Sequence, residues 1–202
     1  VAITDHGVMY GVIDFYRTCK KAGIKPIIGC EVYVAPDSRF NKVNAGEGYA
    51  EHLVLLCENM QGYRNLVELV SRSFTEGFYS KPRIDMELLR KYHEGLVCLS
   101  ACIAGYVPQR ILEGNINEAV SHALEMKSLF GDDYYFELQR HGIDEEDRVN
   151  EELVKLSSKL STKFSTKANQ HTFNGKPPRL LPNERASGKG GKYEKERCRL
   201  FI

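Results

Sequence analysis

The chain alternates short apolar runs with longer segments whose apolar residues recur every three or four positions. Residues 1–4 read as a buried strand. Residues 8–22 read as a helix, with Val12, Phe15, Tyr16 and Cys19 at i, i+3, i+4 and i+7. Gly23 is placed to stop it. Residues 25–34 (KPIIGCEVYV) form a second strand, followed by a polar loop over 35–48, and residues 52–57 (HLVLLC) a third strand. A helix over 61–76 puts Leu66, Leu69, Val70 and Phe74 on one face. A short helix over 85–92 leads into a fourth strand over 95–100 (GLVCLS). Helices over 107–113 and 116–130 are broken by Gly114-Asn115, and residues 134–138 are a fifth strand. The helix over 144–160 is acidic near its start, which suits the positive end of its dipole.

Strand–helix alternation predicts an α/β fold with a largely parallel sheet or a β/α barrel. Active sites in such folds lie at the carboxyl ends of the strands. The grammar changes after about Leu160. Pro177-Pro178, Gly188 and Gly190-Gly191, with interspersed Lys and Arg, read as a disordered or non-native tail, and the pattern writes no further strand there. The expected division is a folded domain over 1–160 and a basic low-complexity tail over 161–202. The chain opens in mid-strand without an initiator Met, as a piece of something longer would.

Composition changes this picture little. With 42% hydrophobic and 27% charged residues in 202, the chain has the make-up of a soluble globular protein. No run approaches the roughly 20 apolar residues of a membrane span, and no signal peptide opens it, so a cytoplasmic location without a membrane partner is expected. The net charge of +1 averages two regions. Residues 161–202 hold ten Lys/Arg against three Asp/Glu, and residues 1–160 eighteen against twenty-four. The acidic part is not a nucleic-acid clamp by charge alone. The six cysteines (19, 30, 57, 98, 102 and 198) contain no CxxC pair and read as free thiols.

Candidate chemistry lies at the strand ends. His6 follows the first strand after Thr4-Asp5, and Glu31 lies inside the apolar second strand. His52 opens the third. Ser100 ends the fourth, with Cys102 just beyond, and His141 follows the fifth. Imidazole, carboxylate and thiolate are the donors that bind zinc, manganese or iron. Divalent ions held this way lower the pKa of a water and clamp a phosphate, the equipment of a phosphoesterase. Each residue also has a plainer reading: a hydrogen-bonded rim histidine, core packing for Cys102, a helix cap for Asp5. Glu31 resists it, because a buried carboxylate needs a partner or a metal.

ITDHG, AGIKPIIGCEVYV, HLVLLCEN, GLVCLSACIAG and YYFELQRHG, in this order, resemble the PHP (polymerase and histidinol phosphatase) family. Within it, residues 22–34, 59–76, 96–105 and 134–142 look like the PHP domain of bacterial replicative DNA polymerase III alpha subunits. The resemblance implies a distorted seven-stranded β/α barrel, here incomplete and followed by a disordered tail, with up to three metal ions at the strand ends. It implies metal ligands at His6, Glu31, His52 and Cys102, with Asp5 a neighbour of the cluster and His141 beside it, facing a substrate phosphate. The metals would be zinc, manganese or iron. The family's opening His-x-His motif is not in the chain, and its later Asn-Asp-x-His segment is replaced by Ala168-Asn169-Gln170-His171-Thr172, so His171 is not assigned. A thinned ligand set, weak or no activity of the piece alone and exposed sheet edges are expected.

By the same resemblance, the parent protein is a DNA-directed DNA polymerase using magnesium in a palm domain that is absent here. Its partners are DNA and other holoenzyme subunits, including the proofreading exonuclease and the sliding clamp. Chemistry native to this piece would be metal-dependent phosphoester hydrolysis, either 3′→5′ exonuclease action or pyrophosphate removal. The alternatives are a non-catalytic module that binds the proofreading exonuclease, and a free-standing phosphatase for a small ester such as histidinol phosphate.

Overall fold

The computed structural model describes residues 1–42 and 50–166. The order is β1 (Ala2–Ile3), α1 (Val12–Lys21), β2 (Ile27–Val34), β3 (Glu51–Cys57), α2 (Met60–Thr75), β4 (Arg83–Ile84), α3 (Met86–Lys91), β5 (Leu96–Leu99), α4 (Tyr106–Leu112), α5 (Ile116–Phe130), β6 (Tyr134–Leu138), α6 (Asp144–Leu160) and β7 (Lys163–Thr166). The helices start where local chemistry tells them to. Asn59 accepts a hydrogen bond from Gly62 N to open α2, and Asp85 accepts one from Leu88 N to open α3. Four acidic residues fill the first turn of α6. The left-handed Ser161 (φ 51°) ends that helix and releases the chain into β7.

The strands form one sheet in the order β1-β2-β3-β5-β6-β7, with β4 also pairing with β2. The expected alternation is present and most pairs are parallel, but one strand is reversed. β3 runs antiparallel to both β2 and β5, while the β1–β2, β2–β4, β5–β6 and β6–β7 pairs are parallel. Among the described residues no helix lies between β2 and β3, in keeping with their antiparallel pairing, which needs no helical crossover. β7 is a second correction. The sequence pattern past Leu160 predicts no further strand, yet Lys163–Thr166 pairs with all of Tyr135–Leu138. Cys198, His171 and the rest of the proposed tail lie outside the described residues.

Both sheet faces are apolar. Cys30, Val32, Leu53, Leu55, Cys98 and Phe136 pack under α2–α6 with Leu66, Leu89, Val107, Met126 and Leu153. The alternate positions Val54, Leu56, Leu99 and Tyr135 form a smaller cluster on the other face. Helices on one face and a small inner cluster on the other make an incomplete barrel, open between β1 and β7 among the described residues. No described helix is long and apolar enough to cross a membrane. The five described cysteines are free thiols.

A buried ionic knot braces the β2–β4 side. Arg39 Nη1 donates to both Asp85 oxygens at 3.0 Å, and its Nε donates to Glu76 at 2.7 Å. Arg83 donates to the carbonyls of Gly77, Arg39 and Asn41.

Candidate metal centre

Glu31 pairs with Val54 in the β2–β3 ladder, so its side chain shares the inner face with that valine. Its peptide group faces the chain after β1 on its other edge. Glu31 N donates to Asp5 O, and Gly7 N donates to Glu31 O. Those two bonds deliver His6, which lies between their endpoints. The His6 Nε2 atom is 3.3 Å from Glu31 Oε1.

His52 reaches the same carboxylate from β3. It pairs with Tyr33, two residues beyond Glu31, and its Nδ1 lies 2.7 Å from Glu31 Oε1. The antiparallel direction of β3 makes this possible. A residue that opens β3 lands at the end of the sheet where β2 finishes. The sulfur of Cys102, in the turn after β5, lies 3.9 Å from both Glu31 Oε1 and His52 Nδ1, and takes a hydrogen bond from Ala104 N at 3.4 Å. The turn is fixed to β3 by a bond from His52 N to Ala104 O.

Four residues spread over nearly a hundred positions thus meet at one carboxylate oxygen. His6, Glu31 and His52 hold their ligand atoms within 4.8 Å of one another, the spacing a single cation can bridge. Glu31 is only 4% exposed at its side chain and His52 14%, whereas His6 is 54% exposed and forms the open rim. Hydrogen bonds to the Cys102 sulfur and the Glu31 carboxylate raise the His52 pKa to about 9, against the lowering effect of its own burial. Burial pushes the neighbouring Cys30 thiol to about 12, leaving it an inert core group. The donor set of two imidazoles, one buried carboxylate and one thiol suits zinc, manganese or iron and is too nitrogen- and sulfur-rich for magnesium.

The other candidates make contacts of different kinds. The exposed Asp5 contributes its backbone oxygen and does not cap α1, whose Gly11 start has no side-chain cap. His141 lies after β6, as expected, but both its ring and its backbone N–H are taken by the buried Glu146, with Nδ1 2.5 Å from Oε1. The Ser100 hydroxyl accepts from Glu137 N at 2.9 Å and ties β5 to β6. Tyr33 is a site residue that the sequence reading passed over. Its ring packs edge-on against His52 at 5.0 Å and lies 6.2 Å from that of His6. Two-residue alternation from Glu31 would have found it.

The PHP domain family profile matches residues 1–141. Among curated proteins, the chain is similar to the DNA polymerase III alpha subunit of Borreliella burgdorferi, at 49% identity over 86% of this chain. It is 48% identical to that of Treponema pallidum over 79% of its length, and 44% identical to that of Thermus aquaticus over 79%. It spans only 15%, 14% and 13% of those relatives' own lengths, respectively.

Proposed function

The chain belongs to the PHP domain family, and from that premise we propose that its cluster is a divalent-metal phosphoesterase site within a DNA polymerase III alpha subunit. The observation that carries the reading is the meeting of His6, His52 and Cys102 around the single buried oxygen of Glu31. His6, Glu31, His52 and Cys102 hold the metal, which is zinc, manganese or iron. When bound, the ion supplies Lewis acidity toward a phosphoryl oxygen and acidifies water.

The chain's own groups do the rest. Glu31 provides negative charge at a fixed point, because the ladder grips its backbone from both sides. Val54, Leu56, Leu99 and Tyr135 form a buried apolar cluster on the inner face that Glu31 shares with its partner Val54, and burial strengthens electrostatic interactions at the carboxylate. The exposed imidazole of His6 leaves the cluster open on one side to a phosphoester. The substrate class is a DNA 3′ terminus or pyrophosphate, and the parent subunit's partners are DNA, the proofreading exonuclease and the sliding clamp.

The test is 3′ nucleotide release from single-stranded DNA by the full-length alpha subunit with manganese or zinc. His52→Ala should abolish it while primer extension continues. Release that survives the substitution would overturn the proposal. Binding of the proofreading exonuclease subunit with no release would point instead to the non-catalytic module, and turnover of histidinol phosphate to the small-ester phosphatase.

A further inference from the structure

The turn at Tyr79–Lys81 is held in a costly conformation beside the Tyr33 ring, which itself packs on His52. Ser80 has φ 60°, in the left-handed region that a serine rarely adopts. Its neighbours close the turn through Tyr79 N to Lys81 O at 3.0 Å and Lys81 N to Tyr79 O at 2.6 Å. The next residue, Pro82, fills the space beside Gly7. A Cβ at Gly7 would lie 2.9 Å from Pro82 Cγ and 3.1 Å from Tyr33 Cε2, and Gly7 itself has φ +68°. The turn, the residue after His6 and the aromatic wall of the site are therefore in mutual contact.

This arrangement sets Lys81 Nζ 4.6 Å from the centre of the Tyr33 ring, the same ring that packs against His52. Lys81 is half-buried and makes no ion pair with a carboxylate among the described residues. The contact over Tyr33 is a weak attraction at such a half-exposed site. A left-handed non-glycine residue costs more than such a contact contributes. The aromatic contact alone does not repay the turn, and Arg83 achieves its own grip through the carbonyls of Gly77, Arg39 and Asn41 without Lys81. What the turn achieves is an ammonium group over the Tyr33 ring, with N–H donors not committed to any carboxylate among the described residues.

We propose that Lys81, steadied on Tyr33, binds the non-bridging oxygens of the substrate phosphate beside the metal cluster, making phosphate recognition by this site a joint property of metal and lysine. The inference rests on the metal-site reading above. A compact ammonium suits a phosphate whose orientation is set elsewhere, since it adds charge without imposing the two-pronged geometry of a guanidinium.

The experiment measures manganese uptake by the full chain, then calorimetric binding of thymidine 5′-monophosphate and of thymidine to the manganese-loaded protein. Lys81→Met should weaken monophosphate binding at least about tenfold, leaving manganese stoichiometry and any thymidine binding unchanged. Lys81→Arg should restore most of the affinity by restoring the charge. Equal monophosphate binding by the wild type and Lys81→Met, both manganese-loaded, would overturn the role of Lys81 and leave the metal site standing. Loss of manganese from Lys81→Met would make the lysine structural and likewise overturn it. Failure of the wild type to take up manganese would remove both readings.

Discussion

Asp85 and Glu31 are both sealed from water, at 1% and 3% exposure, and they are neutralised in opposite ways. Asp85 faces a guanidinium, a group that keeps its charge at every pH a protein survives, and also receives N–H bonds from Arg39 and Leu88. Nothing in that arrangement can be exchanged. Glu31 faces two imidazoles and a thiol, each able to give up its proton and turn a lone pair toward a cation. One carboxylate is locked by a permanent charge and braces the fold. The other is served by titratable groups and leaves the identity of its counter-charge open. Buried charge marks a site when its partners can be replaced, not merely when it is buried.

This contrast can be broken by substitution. Arg39→Met should be the most damaging change, leaving two carboxylates around a vacated centre at a cost of about 3–5 kcal/mol, read from urea unfolding. Glu31→Gln should do the reverse. The amide still accepts a hydrogen bond from His52, so stability should move by no more than about 1 kcal/mol, while manganese affinity falls by a hundredfold or more, roughly beyond the loss seen for indirect partners of a metal. If Arg39→Met is benign and Glu31→Gln unfolds the protein, the assignment of roles is reversed. Gly7→Ala should cost about 1–2 kcal/mol, because φ is +68° and Pro82 occupies the space a methyl needs.

The smallest expected effect is an acid-side pH dependence that arises in the locked region. A hydrogen bond from Arg39 holds Glu76 below its ordinary carboxylate range. A depressed folded-state pKa contributes stability that is present above the unfolded value of about 4.3 and is lost as pH falls through the folded one. The urea midpoint should therefore hold down to about pH 5 and decline below it, with a shallower decline in Arg39→Met. An equal decline in both proteins would remove Glu76 from the account.

Much of this was legible in the sequence. Glu31 stood out as a carboxylate in a run of apolar residues, and His6, His52 and Cys102 as donors near strand ends; geometry brings all four together. The expectation of a largely parallel sheet or a β/α barrel holds for four of the six strand pairs, but it does not convey the reversal of β3, and that reversal is consequential. In a parallel sheet the opening residue of β3 would lie at the far end from Glu31; reversal of that strand moves His52 to the cluster. Period-2 and period-3.6 patterns report which face a residue takes, not which way a strand runs, so the direction had to come from the connection. β4 was missed because two residues carry no periodicity. β7 was missed because Lys163-Phe164-Ser165-Thr166 is polar in composition and draws its place from pairing with β6. His141 has the right residue type in the right place, yet the acidic first turn of α6 supplies Glu146 to hold it, a competition between neighbours that spacing alone does not reveal.

One edge of β2 is shared unequally: β1 takes Ile27 and Ile28, β4 takes Tyr33 and Val34, and between them the backbone of Glu31 is joined, among the described residues, by an isolated bridge to His6. That edge is therefore a seam with one stitch. Amide exchange at Gly7 and Glu31 should report its opening separately from global unfolding. A bound cation would act as a second stitch, slowing exchange at those two amides far more than at those of Leu55 or Cys98 in the sheet's centre.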